Sequence, residues 1–154
     1  MRLVATLTIL VISLTVSSSA FAAKTPQERA IDARQGMMHL RAFNLGPLIA
    51  MLKRDIPYDA DQAGQLAANL QALLNVDMRS AWMQGTANDD YPDATDALPA
   101  IWAGDSDFAG HHQKLVDAVA KLTQVAGDGL DALAPATKAV AQSCKGCHDD
   151  YRAD

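Results

Sequence analysis

Near the end of the chain stand Cys144, Lys145, Gly146, Cys147 and His148, a C-x-x-C-H run. Two thiols at this spacing, followed at once by an imidazole, match the pattern for covalent haem attachment. Each thiol can add to one porphyrin vinyl group as a thioether, and the imidazole can then reach the iron. A helix turns about 100° per residue, so the three side chains fall within roughly 100° of arc. One helical face can therefore present both tethers and the ligand. The residues predict one haem c, held through Cys144 and Cys147, with His148 on the metal.

Three other chemistries compete for these residues. A thioredoxin-like dithiol uses C-x-x-C but needs a strand leading into its helix, and no strand pattern precedes Cys144. A zinc site needs four ligands, and only three cluster here. A disulfide between Cys144 and Cys147 would close so short a loop that it would stabilise little.

The start of the chain says where such a tether would be made. Arg2 is followed by the apolar run from Leu3 to Val16, then Ser17, Ser18, Ser19 and Ala20-Phe21-Ala22. This order of charge, apolar stretch and small-x-small predicts a secretory signal peptide over residues 1–22, removed on export. This run of fourteen residues, apolar but for a few hydroxyls, falls short of the roughly 20 of a spanning helix, which disfavours a membrane anchor. The expected location is the periplasm. A covalent link prevents loss of haem outside the cell, and attachment follows translocation. Residues 23–154 then form one domain with no membrane association. The chain carries 13 basic and 18 acidic side chains. This acidic balance excludes nucleic acid as a partner, since phosphates demand a basic surface.

The remaining sequence lacks alternating strand patterns and reads as four helices. The first opens on Thr25-Pro26-Gln27-Glu28, a capping box with proline at the first helical position. Its inward stripe is Ile31, Met38, Ala42, Leu45, Ile49 and Leu52, with a kink expected at Gly46-Pro47. The second starts at Asp59 and carries Ala63, Leu66, Leu70, Leu73, Leu74, Met78 and Ala81 inward, ending between Trp82 and Gly85. Residues 85–99 form a long polar loop. The third runs from about Asp105 to Ala126, burying Phe108, Leu115, Val119, Leu122 and Ala126. Gly127-Asp128-Gly129 turns the chain. The fourth runs from Leu130 to Tyr151, with Pro135 in its first turn. Short connections make neighbours antiparallel. The predicted fold is all-α, an antiparallel up-down four-helix bundle with covalent haem near the C-terminus.

Several segments, in order, resemble the cytochrome c′ family (class II c-type cytochromes). They are Arg34-Gln35 and Asn44-Leu45-Gly46-Pro47 in the first helix, Pro57-Tyr58-Asp59-Ala60 before the second, and Pro99-Ala100-Ile101-Trp102 with Phe108 before the third. The last is the ending from Cys144 to Arg152. The loop over residues 85–97 is longer than the family's usual one. The resemblance implies His148 as proximal ligand, with Arg152 beside its imidazole. It implies Arg34 and Gln35 near the haem propionates, Met38 on the opposite, distal face, and Trp82 lining the pocket.

The open question is the second axial position. The expectation is five-coordinate, high-spin iron, which binds nitric oxide and carbon monoxide and carries single electrons to an unidentified redox partner. Met38 would then act by bulk, among aliphatic side chains that offer bound dioxygen no hydrogen bond. The alternative is a six-coordinate His/Met electron carrier with Met38 as ligand. A peroxidase would want a distal acid–base group, and none is expected, so enzymatic activity is not. His39, His111 and His112 read as surface residues. Met37, Leu40, Phe43, Leu48 and Met51 lie off the core stripe and suggest a homodimer face.

Overall fold

The computed structural model describes residues 23–153, so the segment expected to be a signal peptide lies outside the described residues. Four helices are present: α1 (Pro26–Lys53), α2 (Ala60–Leu74), α3 (Phe108–Val125) and α4 (Leu130–Tyr151). Short 3-10 turns at Arg79–Trp82 and Pro99–Trp102 interrupt the α2–α3 connection. Each helix packs on the next and α1 closes on α4, the neighbour order of an up-down bundle.

Local chemistry explains the helix starts. The Thr25 hydroxyl accepts from the Glu28 N–H at 3.2 Å, while the Glu28 carboxylate accepts from the Thr25 N–H at 2.6 Å. This reciprocal pair satisfies two donors that a helix start leaves without partners. Asp59 caps α2 by accepting from the Gln62 N–H at 2.9 Å. α1 runs helical through Gly46-Pro47. Pro135 is not in the first turn of α4 as expected but at its sixth residue, and the helix passes through it. The bond lost there is the one an N–H would have given to the Asp131 carbonyl.

Two expectations need correction. α2 ends at Leu74, well before Trp82. The Asp77 carboxylate accepts from the backbone N–H and the guanidinium of Arg79, and this local closure competes with a continued helix. On α1, Met37, Leu48 and Met51 are buried. They belong to the interior, not to a second surface patch. α1 has apolar residues around most of its circumference, so spacing alone cannot say which face turns inward. Of the expected patch, Leu40 (50% exposed) and Phe43 (74% exposed) remain at the surface.

The packed core occupies one half of the bundle. Leu48 and Met51 of α1 meet Ala63, Ala67 and Leu70 of α2, Val119 and Leu122 of α3, and Leu133 and Val140 of α4. Across α1 and α2, Asn69 donates to the buried Asn44 side chain at 2.9 Å. Tyr58 locks the end of this half. Its hydroxyl donates to the Ala126 carbonyl at 3.0 Å and accepts from the Gly129 N–H at 2.9 Å. Gly129, at φ 103°, takes the left-handed conformation that starts α4. Tyr58→Phe removes both bonds and leaves a carbonyl without its donor. It should cost about 1–3 kcal/mol in urea unfolding, with the absorption spectrum of the site unchanged.

Candidate functional site

In the other half of the bundle the helices stand apart around a cavity of about 1110 Å³. Ligand pockets commonly span roughly 300–1,000 Å³, so this one can take a large cofactor. The last turns of α4 form one wall, carrying Cys144, Cys147, His148, Tyr151 and Arg152. α1 forms another wall with Arg34, Gln35, Met38 and Arg41. Leu70, Leu74, Leu115, Val119 and Val140 line the bottom, where the cavity meets the core. Trp82 and Phe108 close the side. All the residues singled out in the sequence thus border one space.

Cys144 and Cys147 are free thiols, half-buried. Burial pushes both thiols up, and Arg41 partly opposes this. For Cys147 the neighbouring Cys144 and Asp150 push in the same direction as burial. Burial, and then the charge of Arg152, lower the His148 imidazole below its ordinary value, with Asp149 opposing. The neutral imidazole, the form that ligates iron, is therefore favoured.

Arg34 is only 3% exposed. Its Nη1 donates to the Thr86 hydroxyl at 2.8 Å and its Nη2 to the Thr95 hydroxyl at 2.8 Å, with a further bond to the Thr86 carbonyl. The guanidinium carbon lies 5.3 Å from the Trp82 ring centre and 5.8 Å from that of Trp102. Hydrogen bonds and two ring faces replace the water that burial removes. Desolvation still lowers its proton affinity. Gln35 donates to the Ala94 carbonyl at 2.7 Å. Residues 85–99 are therefore a packed strap, not a free polar loop. Thr86, Ala87 and Thr95 are buried within it. The strap also holds the end of α4: Leu98 N–H donates to the Tyr151 carbonyl at 3.0 Å and Ala153 N–H to the Asp96 carbonyl at 2.8 Å.

Along the side of the cavity runs an aromatic row. Trp82 packs on Phe108 at 4.6 Å, Phe108 on Tyr151 at 5.5 Å, and Tyr151 on His111 at 5.5 Å. His111 Nε2 lies 3.1 Å from Asp150 Oδ2, and only 13% of its side chain is exposed. His111 is thus not a surface histidine. It packs α3 against α4 beside Gly146, which the start-of-helix position in the sequence did not suggest. His39 and His112 are exposed, at the cavity rim. A second correction concerns Met38, whose surroundings are not purely aliphatic. Arg41 shares its wall, three residues on. The i, i+3 spacing could have found it, but a lone arginine reads by default as solvated.

A family model described as Cytochrome C′ matches residues 29–152. The chain belongs to the cytochrome c′ family. Cytochrome c-554 of Cereibacter sphaeroides is 40% identical over 125 residues, covering 81% of this chain and 93% of that protein. A solved cytochrome c′ from Rhodobacter matches with a TM-score of 0.80 at 38% identity, over 83% of this chain and 98% of that one. A variant of cytochrome c prime from Alcaligenes xylosoxidans, solved as a nitric oxide complex, gives 0.73 at 32% identity, over 86% and 99%. As in other cytochromes c′, the cofactor is haem c. The residues fit it, because two thiols and a neutral imidazole converge on one large, mainly apolar cavity.

Arg34 ties the strap to α1. Arg34→Ala leaves two buried threonine hydroxyls and a carbonyl without their donor, and should lower stability by about 3 kcal/mol. Hydrogen exchange at the Asn88 and Leu98 amides should speed up in step; unchanged protection there would contradict the assigned role.

Proposed function

We propose that this chain is an exported periplasmic haem protein that binds nitric oxide and carbon monoxide at five-coordinate iron and passes single electrons. The convergence of Cys144, Cys147 and His148 on a cavity faced by Met38 carries this conclusion. Haem iron supplies reversible ligation of diatomic gases and a one-electron couple. Cys144 and Cys147 would hold the porphyrin against α4, and His148 would ligate the metal. Arg152 would lie beside that imidazole. Two of the five Arg34 donors are not taken by the strap and, with Gln35, can serve the propionates. Trp82 closes the pocket edge. Met38, on the α1 wall, would have to be displaced by any entering gas, which selects by size. The nitric oxide complex of the Alcaligenes relative supports gas binding.

The alternative is Met38 as sixth ligand, favoured by its place on the α1 wall of the cavity that His148 also lines. Absorption spectra of oxidised and reduced protein, with and without carbon monoxide, separate the two. The expected result is high-spin bands and ready gas binding, with Met38→Ala raising carbon monoxide affinity at least about tenfold by relieving the steric block. A methionine–iron band that disappears in Met38→Ala would establish the carrier instead. Rapid peroxide turnover would overturn the assignment as a binding and redox protein rather than an enzyme.

The export and assembly readings are part of the same proposal. Leu40 and Phe43, exposed on α1, fit a symmetric contact with a second copy. Sedimentation at micromolar concentration should give a dimer, and Phe43→Glu should shift it to monomer.

A further inference from the structure

Arg41 is left unexplained by the assignments above. Met38, Arg41 and Leu45 share one face of α1 at i, i+3 and i+7, so the path of the helix alone puts Arg41 on the cavity wall. It is half-buried. Its Nε is buried and has no hydrogen-bond partner among the described residues. Its Nη1 reaches only the Met38 sulfur, a weak acceptor, at 3.9 Å. None of the ion pairs among the described residues includes it. Arg34 differs, since three of its donors are engaged by the strap and it stands two turns earlier on the helix.

The haem's own carboxylates do not account for Arg41. In haem c the tethered edge of the porphyrin lies opposite the propionate edge. Arg41 lines the same cavity as Cys144 and Cys147, about 10 Å further along α1 than Arg34. With Arg34 and Gln35 bonded to the strap and assigned to the propionates, Arg41 is left on a separate part of the α1 wall. What remains near Arg41 is the space before Met38, where a second ligand to iron would sit. An apolar pocket rejects an anion, because the anion must shed its water without replacement. A guanidinium with free donors on the pocket wall supplies that replacement.

We propose that Arg41 makes this pocket a site for small monovalent anions that ligate ferric iron, of the azide and nitrite class. The inference rests on the haem assignment. The guanidinium lies on the α1 side and pairs with the anion's charge. Neutral gases of similar size gain far less from it. The bulk of Met38 opposes both kinds of ligand alike, so their ratio isolates the charge.

The test uses ferric holoprotein titrated with sodium azide, then with sodium nitrite, followed by absorption. Arg41→Met keeps length and removes charge; Arg41→Lys keeps charge. Azide affinity should fall at least about tenfold in Arg41→Met and stay within about threefold in Arg41→Lys. Carbon monoxide affinity of the ferrous forms should stay within about threefold throughout. Equal azide affinity in Arg41→Met and wild type would overturn the proposal. So would parallel losses of azide and carbon monoxide, which mark a change of pocket shape. Wild-type ferric protein that takes up neither azide nor nitrite would overturn it as well. Colourless protein would instead sink the haem assignment itself.

Discussion

Two thiols and an imidazole can share one helical face only at spacings close to i, i+3 and i+4, and α4 carries them so at Cys144, Cys147 and His148. That face must stay rigid and must look into open space. The start of α4 meets the first need by packing Leu133 and Val140 into the core. Its end is held from outside the bundle, by the strap that bonds to Tyr151 and Ala153 and by the aromatic row ending at His111. One helix is thus a core element in its first half and a cofactor wall in its second.

The division of the bundle follows from the same requirement. Side chains from all four helices fill the half near Tyr58, and α1 and α4 diverge toward the other end. Close packing in one half fixes the helix axes, so the cavity walls need little direct contact with each other. The strap over residues 85–99 then does the work of extra core. It brings Thr86 and Thr95 to a buried cation that no carboxylate among the described residues pairs with.

Chemistry within the cavity is uneven. The bottom is aliphatic, the side aromatic, and the α1 wall carries two arginines in different states. Arg34 is held by the strap and Arg41 is not. A pocket expected to act by bulk alone therefore also carries charge beside its bulkiest side chain.

Whatever depends on neighbours within a few residues could be read from the sequence. The C-x-x-C-H face, the capping of α1 by Thr25 and Glu28, the cap at Asp59 and the span of α4 from Leu130 to Tyr151 are all local chemistry. The early end of α2 at Leu74 came from the pull of Asp77 on Arg79, a side-chain bond that apolar periodicity does not register. Only the tertiary structure decided how much of α1 faces inward, since Met37, Leu48 and Met51 are buried beside Ile31, Leu45 and Leu52 of the expected stripe. The same holds for His111, held by Asp150 and Tyr151 from a different helix, and for Arg34 and Arg41 of α1. A charge is solvated or functional according to what lies across from it, and what lies across is set by packing between segments 40 to 100 residues apart.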